Sequence, residues 1–301
     1  MRWVLLALCL GLACGDDDGE SADVGTDARD AGSDTATGED AGDAGFDAAC
    51  ITATDAGPSS MPDSGPVAEP PVVDCGEATF PDGTGLRRWP YLQSITPTSA
   101  RIAWTSTTGG DSLVRFRAVG TDEWTEVSAA SEAFDTARTD DTEDYVAFDV
   151  QLTGLEASSA YCYEVVEDGT VLATGLGFRS AWTGDGADSG SRVVRMLAFG
   201  DSGDGSDNQR NLANRFMAED YDLFLHLGDM AYGDGTFPEF EANMFSIYQD
   251  FLHRVPSWPT IGNHEDKTDR AQPYLDVYYL PEQAMRPEDQ ERYYSFDYGD
   301  I

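Results

Sequence analysis

Histidine is scarce in this chain. Its 301 residues contain only His226, His253 and His264, so imidazole can supply only a small share of any metal site. Basic residues are scarce too, 18 against 56 acidic ones for a formal net charge of -38, which excludes the phosphate backbone of nucleic acid as a natural partner. No CxxC pair is present, so the cysteines give no support to a zinc knuckle. Beyond the leader, Cys50, Cys75 and Cys162 allow one disulfide and a leftover thiol, and spacing does not choose the pair. The apolar run Val4 to Leu12 is too short to cross a bilayer.

The start of the chain has the layout of an export signal, residues 1-14. Arg2 gives the positive start, Val4 to Leu12 the apolar core and Ala13 the small residue before a cleavage point. Residues 15-85 follow as an acidic linker. Between Gly15 and Asp74 sixteen acidic residues face one basic residue, Arg29, and Phe46 is the only aromatic, so too little apolar surface exists to offset the entropy of ordering. The recurring Asp-Ala-Gly triplets have no apolar period and read as a solvated spacer rather than calcium ligands.

Residues 86-182 change to period two. Ala100, Ile102 and Trp104 share one face, as do Val114, Phe116 and Ala118, and then Val146, Phe148, Val150 and Leu152, with turns at Gly109-Gly110 and Asp168-Gly169. That is a β-sandwich of about seven strands. Arg115 and Arg117 read as solvated strand-face residues. Residues 192-301 alternate strand and helix. Val193 to Phe199 reads as a strand covered on both faces, Asn208 to Glu219 as a helix with Leu212 and Phe216 inward, and Asp222 to Leu227 as a second strand. A helix starting near Pro238 carries Phe240, Met244, Ile247 or Tyr248, and Phe251 at helical period, and Val255 to Ile261 leads onward. Tyr293 to Tyr298 reads as the start of a further strand.

Three segments follow apolar runs in this second half: Gly200-Asp201-Ser202-Gly203, Gly228-Asp229-Met230-Ala231-Tyr232 and Gly262-Asn263-His264-Glu265. Their spacing suits successive βαβ units, which bring the carboxyl ends of parallel strands to one sheet edge, where ligands bind in open α/β folds. A single Gly-Asp pair marks an ordinary turn; three in order, each after a strand, define a site. Carboxylates with an imidazole suit iron, manganese or zinc.

With these motifs the chain resembles the calcineurin-like metallophosphoesterases, and among them the purple acid phosphatases. The resemblance implies a binuclear metal centre, iron paired with iron, zinc or manganese, in which Asp201 and Tyr232 bind the first metal, Asp229 bridges both and Asn263 binds the second. It implies that His264 contacts the substrate phosphate. Leu152-Thr153-Gly154-Leu155 with Tyr161-Cys162-Tyr163 resembles a fibronectin type III module, Tyr161 being its corner tyrosine.

The fold class implied is a fibronectin type III-like β-sandwich followed by the N-terminal half of an α/β metallophosphoesterase domain. The family's VxxH and GHxH segments, with three histidines, are not in this chain, so truncation before the last two metal motifs and weak activity are expected. His226 reads as a core residue and His253 as solvent-facing. Leu10-Gly11-Leu12-Ala13-Cys14 resembles a bacterial lipoprotein signal, with Gly11 departing from the usual leucine. The expected protein is therefore a cell-envelope lipoprotein or a secreted one, touching membrane only through Cys14. Its expected activity is acid phosphatase hydrolysis of phosphate monoesters. A phosphodiesterase or nucleotide pyrophosphatase, or a non-catalytic surface-binding protein, is the alternative.

Overall fold

The structure, a computed structural model, describes residues 4-5, 71-183, 194-299 and 301. The lipidation signal at Cys14, Cys50 and most of the acidic linker lie outside the described residues.

The sandwich is built from eight strands. One layer is β2 (Leu86–Gln93), β3 (Ser99–Ser106), β7 (Tyr145–Thr153) and β6 (Ala130–Phe134); the other is β5 (Thr125–Ser128), β4 (Ser112–Ala118), β8 (Ala160–Glu167) and β9 (Thr170–Arg179). The alternation read from sequence sets the register: Ala100, Ile102 and Trp104 stand opposite Leu152, Val150 and Phe148, all buried. Trp104 stacks on Phe148 at 5.5 Å. The Tyr161 hydroxyl accepts the Glu156 N–H at 2.7 Å, the corner bond expected of it. Arg115 pairs with Glu126, and Arg117 lies over the Trp124 ring. The cysteine pair is resolved as a Cys75–Cys162 disulfide, which fastens the segment before β2 to the sandwich.

The second part contributes parallel strands β10 (Arg195–Phe199), β11 (Leu223–His226) and β12 (Ser257–Pro259), with two-residue β1 (Val4–Leu5) beside β10. After the short helix α1 (Thr136–Thr139) of the sandwich, helix α2 (Asp207–Phe216) is capped by Ser206 and buries Gln209, Ala213 and Phe216. Helix α3 (Phe237–Glu239) opens with a capping box between Thr236 and Glu239 and has Pro238 in its first turn. It continues through a π-helical stretch, Phe240–Phe245, into α4 (Ser246–Leu252). The π stretch shifts the helical phase, so the buried set becomes Phe240, Met244, Phe245, Ile247, Tyr248, Phe251 and Leu252. No helix of the described residues is long and apolar enough to cross a membrane.

One sheet runs through both parts. Its order is β1-β10-β11-β12-β2-β3-β7-β6, and β12 joins β2 through the single pair Ser257–Gln93. Around that joint, Tyr91 donates its hydroxyl to the Val277 carbonyl at 2.7 Å, and Arg88, almost fully buried, pairs with Glu241 of the π stretch.

Three expectations need correction. His253 is 8 % exposed, not solvent-facing: it ends α4, packs its ring edge-on to Phe80, and its carbonyl accepts the Tyr163 hydroxyl at 2.7 Å. Strand β10 is not covered on both faces. Phe199 meets Phe216 and Tyr248 on the helix side and Leu197 is buried, while Met196 and Ala198 stay half-buried. Tyr293 to Tyr298 forms no strand: Tyr293 is exposed, Phe296 stacks on Trp258 at 3.9 Å, the Tyr294 hydroxyl reaches the Pro259 carbonyl and Tyr298 is buried, so the segment is held by side chains instead of backbone pairing.

Burial lowers the pKa of His253 to about 4, with Arg254 adding to the shift, and lowers that of His226 to about 3. In the unfolded chain both protonate near 6.5, so from there downward the unfolded state binds more protons and stability falls with pH until the folded values are reached. Each histidine should remove about 2 kcal/mol between pH 7 and pH 5. Denaturant midpoints of wild type and His253→Gln across that range should therefore diverge, the variant losing less; parallel curves would contradict the burial. Reduction of Cys75–Cys162, which closes a separation of 87 residues, should lower stability by about 4 kcal/mol in the same measurement.

Candidate active site

Because Phe199 pairs with His226 and His226 with Pro259, the three parallel strands end at one level, and the loops that follow them meet. Asp201 and Asp229 each sit in the left-handed region, φ 53° and 54°, which turns the chain sharply just past the strand. The first two loops are laced by backbone: Asp201 N–H donates to Gly228 O, Ser202 and Gly203 N–H to Asp229 O, and Tyr232 N–H to Gly203 O. Gly203 is required, since a Cβ there would lie 2.1 Å from the Met230 carbonyl carbon. Gly262 is required likewise, its Cβ falling 2.2 Å from Asp229 Oδ1.

The third loop is tied to the second by Glu265, which is fully buried. Its Oε2 accepts the N–H of Asp229 and of Gly262, both at 2.8 Å, and its Oε1 those of Met230 at 2.8 Å and Ala231 at 3.0 Å. Four otherwise orphaned donors therefore converge on one carboxylate. Sequence reading stopped at the histidine before it.

Of the residues singled out from sequence, Asp201, Asp229, Tyr232 and His264 converge. Asp229 is nearly buried and accepts the His264 N–H on Oδ1 at 3.0 Å. The rings of Tyr232 and His264 lie 4.1 Å apart. Burial, then the charges of Asp229 and Asp201, push the Tyr232 phenol up to about 12, so both carboxylates bear on that ring. Asn263 is exposed, flanked by Gly262 and His264, whose N–H groups bind Glu265 and Asp229. His264 Nδ1 is 2.6 Å from Gly233 O and 3.2 Å from Lys267 Nζ, so the imidazole is held from its Nδ1 side by both.

Beneath the loops runs a buried polar network. His226 Nε2 lies 3.2 Å from Ser202 Oγ, which is 3.3 Å from the Tyr248 hydroxyl; Gln209 bonds that hydroxyl and Asn243 O, and Asn243 Nδ2 holds Tyr232 O at 2.9 Å. His226 is thus a core residue, as its strand position implied. Lys267 was also missed. It is the chain's one lysine, and its Nζ donates to Gly233 O at 2.8 Å beside His264. Its solitary occurrence three residues after the histidine was the available signal.

Among the described residues no group of three or more His, Cys, Asp or Glu is arranged to hold an ion. The oxygen donors Asp201, Asp229 and Tyr232 nevertheless suit one hard cation, whose charge would reverse the electrostatic penalty on the phenolate. A second cation would have Asp229 and Asn263. The residues present fit the first position and part of the second.

Residues 90–183 match the family model for the purple acid phosphatase N-terminal domain, and residues 194–300 that for the calcineurin-like phosphoesterase. No curated protein matches the chain. Among solved structures, the chain is similar to the purple acid phosphatase PPD1 from yellow lupin (Lupinus luteus) seeds, at 19% identity and TM-score 0.56, covering 69% of this chain and 42% of that one. It is also similar to PhoD, at 12% identity and TM-score 0.47, covering 73% and 51%. The chain thus spans less than half the length of the lupin protein.

Replacing Glu265 by alanine strands four backbone donors in a site without water access, which should cost about 4 kcal/mol or more. Glu265→Gln keeps one accepting oxygen and should cost roughly half as much. Chemical denaturation checks both; an unchanged midpoint for Glu265→Ala would remove this residue from the site's support.

Proposed function

We propose that this metallophosphoesterase, which carries a purple acid phosphatase N-terminal domain before its calcineurin-like domain, is an exported enzyme that hydrolyses phosphate monoesters with a binuclear metal centre. The observation that carries the reading is the meeting of Asp201, Asp229 and Tyr232 beside His264 at the carboxyl edge of parallel strands. Asp201 and Tyr232 would hold the first cation, Asp229 both and Asn263 the second. Bound there, the cations supply charge neutralisation of the phosphoryl oxygens and activation of the attacking water.

The remaining work falls to the chain's own groups. His264, held at Nδ1 beside Gly233 O and Lys267 Nζ, would use Nε2 to bind a phosphoryl oxygen or to give a proton to the leaving alkoxide. Lys267, whose Nζ donates to Gly233 O and lies 3.6 Å from Asp234 Oδ1, adds a positive charge to the same rim, which favours an anionic phosphate ester. A phenolate at Tyr232 favours ferric iron. Export rests on the leader, and attachment to a membrane on Cys14 followed by the acidic linker.

Loaded with ferric iron, the protein should develop visible phenolate-to-iron absorption that Tyr232→Phe removes, while Asp229→Asn lowers iron content itself. Hydrolysis of p-nitrophenyl phosphate should be slow, since the second position has few donors, yet metal-dependent and at least about tenfold above Asp229→Asn. Iron bound without that absorption, or turnover equal to the Asp229→Asn control, would overturn the assignment.

A further inference from the structure

Away from the three motif loops, a cleft of about 630 Å³ opens between the sandwich and the second part. Its apolar wall comes from the segment held by the Cys75–Cys162 disulfide, including Val72, Val73 and Ala78. The rest of the lining is basic, with Arg179 donating to the Pro71 carbonyl beside Val72 and Arg195 exposed at the start of its strand. Arg179, Arg195 and Arg254 stand there with one acidic residue, Asp220, a three-to-one ratio in a chain whose overall ratio of basic to acidic residues is 18 to 56.

The arginines differ in how far their charge is met. Arg179 binds Asp220 Oδ1 at 2.7 Å and lies 3.8 Å from Asp222 Oδ1. Arg254 instead reaches only carbonyls, Met217 O at 2.8 Å and Asp250 O at 3.4 Å, with Phe251 beneath its guanidinium. Neither Arg254 nor Arg195 has a carboxylate within ion-pair distance among the described residues. Burial, together with the nearby Arg179, pulls Arg254 below its usual pKa in spite of Asp220 and Asp250, the mark of a cation short of counter-charge. His253 belongs to the same lining, nine-tenths buried, and its Nδ1 meets no hydrogen-bond partner among the described residues. A buried imidazole nitrogen without a partner is expensive unless something else completes it.

We propose that this cleft binds a phosphorylated small molecule, its dianionic phosphoryl group held by Arg254, Arg195 and His253 and its body lying along Val72 and Val73. Two unpaired guanidinium charges match the charge of about -2 on a phosphate monoester, and the planar forks suit its oxygens. A carboxylate would leave one charge unmet. The cleft has room for a body beyond the phosphoryl group, within the usual range of small-molecule sites. The site is separate from the motif loops, and the inference does not rest on the phosphoesterase reading.

Inorganic phosphate serves as the probe, titrated calorimetrically into the full chain stripped of metal with chelator, at constant ionic strength, with acetate as the monoanion control. Saturable binding of phosphate over acetate is expected, unchanged in Asp229→Asn and weakened at least about tenfold in Arg254→Gln, which removes a charge-assisted contact. A melting curve for Arg254→Gln confirms that the variant is folded, and His253→Gln should weaken phosphate in the same direction. Absence of saturation up to roughly 10 mM phosphate, or full binding by a folded Arg254→Gln, overturns the proposal. Binding lost in Asp229→Asn but kept in Arg254→Gln overturns it too, and assigns the phosphate to the motif loops instead.

Discussion

The arrangement of the three motif loops depends on one buried carboxylate. Glu265 takes hydrogen bonds from four backbone N–H groups, three on the Asp229 loop and one on its own, in a place with no exposure to solvent. Because the Asp229 peptide is fixed this way, its carbonyl is available to the Ser202 and Gly203 N–H groups of the first loop. The order of dependence runs from Glu265 to Asp229 to Asp201, and each link is backbone to backbone or backbone to carboxylate. Functional side chains are then free to face outward without also holding up their own loops.

A second tier of support comes from farther away. The π-helical stretch supplies Asn243 to the Tyr232 carbonyl and Glu241 to Arg88 of the sandwich. A widened helical turn of this kind offsets neighbouring side chains, here sending Asn243 toward the site while Phe240 and Phe245 enter the core. The π stretch thus links the Tyr232 loop to the sandwich, beside the shared sheet.

Much of this was legible in the sequence because its causes are local. Period-two alternation set the register of Ala100, Ile102 and Trp104 against Leu152, Val150 and Phe148. The three glycine-containing motifs were visible because each follows directly on a strand. What escaped depends on approach through space. Glu265 looks like any acidic residue opening a polar turn until the Met230 and Ala231 N–H groups arrive, and Asn243 looks like a polar residue on a helix. His253 looked solvent-facing because its burial is made by Phe80 and Tyr163, which come from the other part of the chain. Tyr293 to Tyr298 has strand composition, but Trp258 offers its aromatics a better surface than a neighbouring backbone would.

The joint between Ser257 and Gln93 has a mechanical meaning. Where two modules are linked by a flexible connector, thermal motion lets each tumble, and a ligand can be caught by their closing. Here one sheet continues from one to the other across that single pair, and Arg88, Tyr91 and Tyr163 act as cross-braces beside it. The junction behaves as a beam rather than a hinge. A force applied to the sandwich would be carried through the sheet instead of being absorbed between the parts.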